Sequence, residues 1–417
     1  MTRKLFPIIF TAYFINCAST TFDSSKDSFN EDLNESDIKQ HIMYLSSDEL
    51  EGRFPGTKGS ELAIDYIASN FKNYKLAPFQ DNSFLQFFDF SNLENEKSRV
   101  ANVIGLIPGN KNKDEFIVIG AHFDHLGYGG AHSGSLDIGS KEIHNGADDN
   151  ASGVAGILEL AHKLSLNRGL LNRSIVFIAF NAEEQGIFGS KYFINNSQIP
   201  KDKIITMINL DMIGRLRNLS LNVSGTGTSP YFNEILDKTS SAHMLNLNKN
   251  PEGFGPSDHA SFYSNDIPVL SFFTGGHQDY HKPSDDWDKI NFSGQKKVLS
   301  MVYDIVLLID SKNIRPIFTE AGPKSSPATP RVRMNVTFGF MPSYTRSGKG
   351  LGVDGVRSEG PAGKAGMKKN DVIIKINNID VKDVYGYMDI LQKLKPGESS
   401  TVTLLRDNKE IILKVNH

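Results

Sequence analysis

The chain has 417 residues, a formal net charge of −3 and a pI near 6.4. A chain of this length exceeds a single hydrophobic core, so we expect two or more domains. The near-neutral charge gives no basis for a nucleic-acid partner or for attraction to an acidic membrane surface. The single cysteine excludes an internal disulfide, so packing and bound metal must stabilise the fold.

The N-terminus resembles an export signal. Two basic residues precede an apolar stretch over residues 5–15, which is too short to span a bilayer as a helix. Cys17 ends the segment FINC, which resembles a relaxed lipobox, although strict lipoboxes carry Gly, Ala or Ser before the cysteine. We therefore predict a signal peptide over 1–16 and a polar tether over 17–33. Lipidation of Cys17 would anchor the protein to a membrane of the bacterial envelope; in plain secretion Cys17 would be incidental.

The next part of the chain alternates between helical and strand-like patterns. Apolar residues at spacings of three and four predict helices between 34 and 75, over 151–165 and near 293–312. Six strand-like runs lie among them, namely NVIGLI, FIVIGA, SIVFIAF, IITMINL, LSLNVS and PVLSFF. Continuous apolar strands that alternate with helices predict an α/β fold, in which a mostly parallel mixed sheet is covered by helices on both faces.

Five residues of metal-ligand type follow apolar runs, in the order His122, Asp149, Glu184, Asp211 and His281. Two imidazoles and three carboxylates suit zinc and tolerate cobalt or manganese. Five groups exceed the needs of one tetrahedral ion, but they fit two ions about 3.5–4 Å apart that share one carboxylate. Sites in open α/β sheets gather at the carboxyl ends of strands. The pattern therefore predicts a two-metal hydrolase.

Residues 34–312 resemble the two-zinc exopeptidase family that contains bacterial leucyl and aminopeptidase-S-type aminopeptidases and glutamate carboxypeptidase. The resemblance rests on seven segments in the family's order: LEGRFPGTKG, GAHFDH, GADDNASG, AEEQGIFGS, NLDMIGR, PSDHASF and YHKPSDD. GADDNASG and AEE are the most specific of these. No protease-associated insert interrupts the resemblance.

The resemblance implies a role for each of the candidate ligands. Asp149 would bridge two zinc ions, with Asp148 as the alternative bridge. The remaining ligands would divide into the pair His122 and Asp211 at one ion and the pair Glu184 and His281 at the other. Glu183 would be the general base, since neighbouring residues at a strand end point in different directions. Two metals would lower the pKa of a bound water, and a carboxylate would shuttle its proton to the departing amine.

Further residues have predicted supporting roles. Asp124 is expected to orient the His122 imidazole from the second coordination shell. Tyr280 would donate to the developing oxyanion or pack under its loop. Asp258 and His259 would line the pocket for the substrate terminus or have a structural role. Two arginines, Arg53 and Arg215, belong to the family motifs and are equally explained by buried salt bridges. Four other histidines are expected to face solvent or bond locally: His125, His132, His144 and His162.

A linker rich in Pro, Ser and Thr is predicted over 313–330, and residues 331–417 resemble a PDZ domain. The resemblance rests on FGF, PAGKAG and NDVIIKINN, with Asn370 in place of a more usual glycine. It implies a small α+β, barrel-like domain that captures the C-terminus of an extended peptide. The alternative is a domain that packs on the catalytic unit or dimerises it.

Together these patterns predict an exported two-zinc aminopeptidase that removes N-terminal residues from peptides. A carboxypeptidase, a dipeptidase or a glutaminyl cyclase of the same fold remain open, because no residue identifies which peptide terminus is recognised. A non-catalytic envelope adaptor, whose PDZ domain binds peptides, is the alternative from another class of protein. The complete ligand set together with Glu183 argues against that alternative.

Overall fold

The computed structural model describes residues 31–80, 82–92, 96–130, 133–137, 139–311, 315–325, 336–342, 350–382, 384–391 and 393–417. The predicted signal peptide and Cys17 lie outside the described residues, as do most of the tether and part of the linker. In the part of the chain that is described, none of the helices combines the length and the hydropathy needed to span a bilayer.

Two helices form the start of the described chain. Helix α1, Glu35–Leu45, begins at Asn34, whose side chain accepts a hydrogen bond from the Asp37 amide. Helix α2, Lys58–Asn73, begins at Thr57, which caps it in the same way. An irregular turn, Asp48–Arg53, joins them and contains left-handed backbone. Side-chain oxygens at these positions satisfy amides that lack helical partners, which explains where both helices begin.

A large mixed sheet follows. Its strands are β1 Ala77–Pro78, β2 Leu85–Ser91, β3 Lys97–Ile107, β4 Asn112–His122, β5 Arg173–Phe180, β6 Ile204–Leu210, β7 Ser220–Ser224, β8 Asn246–Asn250 and β9 Val269–Phe273. Their order is β1-β3-β5-β4-β6-β9-β7-β8, and β2 pairs with β3. The centre, β5-β4-β6-β9, is parallel, whereas β3 and β7 join it in antiparallel pairs. All six predicted strand-like runs lie in these strands.

Helices cover both faces of the sheet, as predicted. The other helices of this region are α3 Gly153–Leu166, α4 Phe188–Asn196, α5 Phe232–His243, α6 His259–Tyr263 and α7 Phe292–Ser311. Strand β5 is buried along its whole length, and its alternate side chains point to opposite faces. Phe177 contacts Phe71 of α2, while Phe180 contacts Phe193 of α4 and Phe262 of α6. A strand buried on both faces is apolar throughout, which explains the continuous run SIVFIAF.

The C-terminal residues form a second, smaller sheet with its own apolar core. Its elements are β10 Phe340–Pro342, β11 Leu351–Val356, α8 Pro361–Lys364, β12 Val372–Ile376, β13 Ile379–Asp380, α9 Val384–Leu391, β14 Ser399–Arg406 and β15 Lys409–Asn416. The strand order is β10-β11-β12-β14-β15, with β13 beside β12, and the pairs are antiparallel. The predicted small α+β domain is therefore present, with one sheet and two short helices among the described residues.

Candidate metal centre

Three neighbouring strands place candidate ligands at one edge of the sheet. Strand β4 ends at His122, β5 leads into Glu183 and Glu184, and β6 leads into Asp211. Because β5, β4 and β6 are adjacent and parallel, their carboxyl ends lie side by side. Asp149 comes from the turn before α3, and the other imidazole comes from the loop after β9. The fold thus brings together residues that are far apart in the chain.

The candidate ligand atoms form two groups around the Asp149 carboxylate. His122 Nε2 lies 3.5 Å from Asp149 Oδ1 and 3.7 Å from Asp211 Oδ1. His281 Nε2 lies 3.2 Å from Asp149 Oδ2 and 3.1 Å from Glu184 Oε2. Ligand atoms bound at about 2.0 Å to one tetrahedral zinc ion are about 3.3 Å apart. The donor types and their separations therefore fit zinc in both groups, and the two oxygens of Asp149 face different groups.

Asp148, the alternative bridge, is directed elsewhere. Its Oδ1 accepts a hydrogen bond of 2.7 Å from the Gly214 amide, and its Oδ2 lies 3.1 Å from His277 Nε2. The peptide bond between Asp149 and Asn150 is cis. Of the two neighbouring aspartates, Asp149 alone contacts the candidate imidazoles His122 and His281 among the described residues.

A buried acidic residue supports the turn that carries Asp149. Asp285 Oδ2 accepts hydrogen bonds of 3.0 Å from the amides of both Asp148 and Asp149. Its Oδ1 accepts a hydrogen bond of 2.9 Å from Arg215, which also lies 3.4 Å from Asp279. Burial, with the nearby Asp148, raises the pKa of Asp285. Arg215 thus makes the buried salt bridge expected from the sequence and holds the backbone of the turn through Asp285.

Asp124 contacts a different group from the one expected. Its carboxylate accepts hydrogen bonds from the amides of Glu183 at 2.9 Å and Glu184 at 3.2 Å. His122 Nδ1 is 3.8 Å from that carboxylate but 3.2 Å from the backbone carbonyl of Asp124. Burial raises the pKa of Asp124 to about 6. The backbone carbonyl thus replaces the carboxylate in orienting the imidazole, and the carboxylate fixes the two glutamates.

The two neighbouring glutamates have opposite electrostatic environments. Burial raises the pKa of Glu183 well above its usual range; His122 opposes this shift, and Asp258 adds to it. Burial also acts on Glu184, but His281 and His125 outweigh it and hold the pKa of Glu184 well below its usual range. Two carboxyl groups whose environments separate their pKa values are suited to different tasks, one as a proton carrier and the other as an anionic ligand.

The remaining predicted site residues surround this centre. Asp258 is buried, no hydrogen bond of normal geometry from a described residue reaches its oxygens, and burial raises its pKa to about 7. His259 is also buried, and burial lowers its pKa to about 4. The Tyr280 ring stacks on His281, with 3.9 Å between ring centroids and 23° between planes. The packing interpretation of Tyr280 thus matches the structure, and its role at an oxyanion stays a prediction.

Arg53 connects two of the ligand-bearing loops. It is fully buried, and its guanidinium donates to carbonyls on both sides of the centre: Phe123, Asn145, Gly146 and Leu45. Burial lowers its pKa to about 10. No described residue forms a salt bridge with it, so the expected ion pair is replaced by carbonyl acceptors. The contact with Phe123 holds the His122 loop, and those with Asn145 and Gly146 hold the Asp149 turn.

A segment of the loop between β4 and α3 holds His281. The Gly134 carbonyl accepts a hydrogen bond of 2.9 Å from His281 Nδ1, and the Leu136 amide donates to the His281 carbonyl at 3.0 Å. Arg357, which follows β11 in the C-terminal sheet, donates to the Leu136 carbonyl at 3.2 Å. This loop therefore contacts a candidate ligand directly.

The other histidines differ in their surroundings. His144 is buried and bonds locally to Ser135 and to the Glu142 carbonyl, as expected. His162 is half-buried and stacks on Tyr74, which directly follows α2, whereas His132 lies outside the described residues. His125 is fully buried and contacts Glu184, so the expectation that it faces solvent or bonds locally is wrong.

Comparison with known proteins agrees with this architecture. Residues 102–306 match peptidase family M28, and residues 331–416 match the PDZ domain. Leupeptin-inactivating enzyme 1 of Streptomyces exfoliatus is 29% identical over 262 residues, which are 60% of this chain and 51% of that protein. Aminopeptidase YwaD of Bacillus subtilis is 25% identical over 280 residues, 64% of this chain and 55% of that protein. The chain therefore spans about half the length of these relatives.

A solved structure shares the fold. The Zn-dependent exopeptidase from Parabacteroides distasonis superposes with a TM-score of 0.55 at 18% identity, covering 66% of this chain and 98% of that one. This likeness shows that the two proteins share a fold. Residues 102–306 are those of a peptidase of family M28, and a PDZ domain follows at residues 331–416.

Proposed function

We propose that this protein is an exported two-zinc aminopeptidase that hydrolyses N-terminal residues from peptides. The observation that carries the proposal is the position of the Asp149 carboxylate, whose two oxygens face different pairs of donors. In this assignment Asp149 is the shared ligand, and the other ligands are the pair His122 and Asp211 and the pair His281 and Glu184. Cobalt or manganese would be tolerated by the same donors.

Glu183 is the proposed catalytic base. Bound zinc would supply a water of lowered pKa and would polarise the scissile carbonyl. Glu183 lies beside the proposed ligands, and its raised pKa suits a group that takes up a proton and then delivers it to the departing amine. Its backbone amide donates to Asp124, so the backbone that carries the carboxyl group is held in place before substrate binds.

Asp258 supports recognition of a free N-terminus. It is a buried carboxyl group close enough to Glu183 to raise the pKa of that residue. Burial raises the pKa of Asp258 to about 7, so its charged form is disfavoured in the free protein, and a substrate α-ammonium group would provide both positive charge and hydrogen-bond donors. A peptide C-terminus would instead bring a further carboxylate to this acidic pocket. The arrangement therefore favours an aminopeptidase over a carboxypeptidase.

A panel of peptides with free and blocked N-termini tests the assignment. Wild-type protein should cleave the free-amino peptides alone and lose this activity after chelation, with recovery on addition of zinc. Glu183→Gln should keep its metal content and lose turnover, because the amide cannot accept the proton. Asp258→Asn should lower kcat/KM by about 10- to 100-fold, the effect of removing a charged hydrogen bond. Cleavage of blocked peptides, or full activity in Glu183→Gln, would contradict the proposal.

Metal stoichiometry and location separate the other possibilities. A glutaminyl cyclase of the same fold is expected to hold one zinc ion, so a ratio of two ions per chain argues against it. Cleavage from the C-terminus would identify a carboxypeptidase, and a metal-loaded but inactive protein would favour the peptide-binding adaptor.

For the envelope location, Cys17→Ser should release the protein from the membrane fraction. Residues 331–417 would bind peptide C-termini, which fluorescence anisotropy of labelled peptides can measure.

A further inference from the structure

His125 has no role in the assignment above, yet it is fully buried beside the candidate metal centre. It directly follows Asp124 in the loop after β4. Its Nδ1 atom lies 2.8 Å from Glu184 Oε1. The other oxygen of that carboxylate, Oε2, lies 3.1 Å from His281 Nε2. The two oxygens of Glu184 thus have different partners.

The distances distinguish a hydrogen bond from shared metal coordination. Nδ1 of His125, Asp149 and Glu184 all offer donor atoms within 4.8 Å of one another, so His125 is itself a conceivable ligand. However, 2.8 Å is a hydrogen-bond distance and is shorter than the separation of about 3.3 Å for two ligands of one tetrahedral zinc ion. Nδ1 is also 4.0 Å from Asp149 Oδ2, whereas His281 Nε2 is 3.2 Å from that oxygen. His281 therefore fits the ligand position, and His125 fits a hydrogen-bond donor.

The ring of His125 is held in place by its surroundings. Gly146 adopts left-handed backbone, and a side chain there would collide with the His125 ring. No described residue contacts the Nε2 atom of His125 through a hydrogen bond. The Nδ1 contact with Glu184 is therefore the polar interaction that accounts for this buried imidazole.

We infer that His125 is a positioning residue, which donates from Nδ1 to Glu184 Oε1. The other oxygen, Oε2, is thereby directed towards His281, the residue that would hold the same metal ion. The inference rests on the proposed two-zinc function. Asp124 and His125 together hold the glutamate pair, because Asp124 accepts from the amides of Glu183 and Glu184 while His125 donates to the side chain of Glu184. Hydrogen bonds of this kind orient ligating carboxylates, and their loss weakens metal binding.

Stepwise zinc binding to the metal-free full-length protein tests the inference, measured by competition with a chromophoric chelator. His125→Leu removes the donor and keeps an apolar side chain in the pocket. One of its two zinc ions, the one that Glu184 and His281 would hold, should bind about 10- to 100-fold less tightly than in wild type, with the other little changed. His125→Asn places an amide N–H close to the position of Nδ1, so its zinc affinity should remain within a few-fold of wild type. His162→Leu, a matched change on α3, should bind both ions normally.

X-ray absorption of the zinc-loaded variants provides a readout that does not depend on activity. His125→Leu loaded with zinc at saturating concentration should keep the same number of imidazoles per ion as wild type. A fall in that number would make His125 a ligand and overturn the inference. Equal affinities for both ions in His125→Leu and wild type would overturn it as well. If wild type itself binds one ion, the proposed two-zinc function is wrong. The wild-type titration tests the number of ions, and the comparison with His125→Leu tests the role of His125, so the two failures can be told apart.

Discussion

His259 should make the stability of the protein depend on pH. The side chain is 3% exposed, neither ring nitrogen has a hydrogen-bond partner among the described residues, and a Cβ at Gly255 would collide with Nε2. Burial lowers its pKa from 6.5 to about 4, and Asp211 opposes this shift only in part. The imidazole is therefore neutral in the folded protein at neutral pH, because its site offers no solvation for a charge.

The sign and the size follow from the two pKa values. As the pH falls below 6.5, the unfolded chain takes up a proton at His259 before the folded chain does, so the folded state loses stability. The loss accumulates between pH 6.5 and about 4, with a slope of up to about 1.4 kcal/mol per pH unit. Between pH 7.5 and pH 5 the effective interval is about 1.5 units, so the expected loss from this residue is about 2 kcal/mol.

Chemical denaturation of the metal-free protein at both pH values measures this loss. His259→Leu and His259→Gln both remove the titrating group, and other groups that titrate cancel when each variant is compared with wild type. Wild type should lose about 2 kcal/mol more than either variant between pH 7.5 and pH 5. A difference between wild type and variants that is the same at both pH values would refute the argument, because it would show that His259 is not held neutral.

Three further predictions concern the scaffold of the metal centre. Arg53→Lys should lower the free energy of unfolding by about 2–4 kcal/mol, since an ammonium group cannot reach all four carbonyls, and each buried acceptor left unpaired costs roughly 1–3 kcal/mol; urea denaturation measures this, and Lys58→Arg serves as an exposed control. Arg357→Ala should lower kcat/KM by less than about fivefold, because one exposed hydrogen bond contributes at most about 1 kcal/mol; an unchanged melting temperature with a larger loss would contradict this estimate. Chelation should lower the melting temperature of wild type, with about 4 kcal/mol restored when free zinc reaches a thousand times its dissociation constant; an unchanged melting temperature would argue against tight metal binding.

The sequence predicted the centre of the sheet well and its margins poorly. Strands β5 and β6 and the second half of β4 are buried on both faces, so these stretches are almost continuously apolar and easily identified. Strand β8 has the polar sequence NLNKN because it is an edge strand with partly exposed side chains. Its pairing depends on β7, a contact that no local pattern indicates.

The same distinction applies to the site. Candidate ligands at strand ends were predictable, because adjacent parallel strands end at the same edge of the sheet regardless of how the loops are folded. The contacts of Arg53 and His125 were not, because Arg53 binds a carbonyl 70 residues away and His125 binds a carboxylate 59 residues away. Such partners depend on how loops pack, and apolar periodicity carries no information on that packing. The carboxylate of Asp124 shows the same limit. Its predicted contact was with the nearby His122, whereas its hydrogen-bond partners are the distant amides of Glu183 and Glu184.

Charge balance explains why so many scaffold residues surround the centre. Eight carboxyl groups gather there: Asp124, Asp148, Asp149, Glu183, Glu184, Asp211, Asp258 and Asp285. The guanidinium groups close to them are Arg53, which bonds to carbonyls, and Arg215, which pairs with Asp285. Burial and mutual repulsion raise the pKa values of several of these acids, which is the response of a site with an excess of negative charge. Two divalent cations would relieve that excess. Backbone amides donate hydrogen bonds to the carboxylates of Asp124 and Asp285, and these bonds fix both side chains without bound metal.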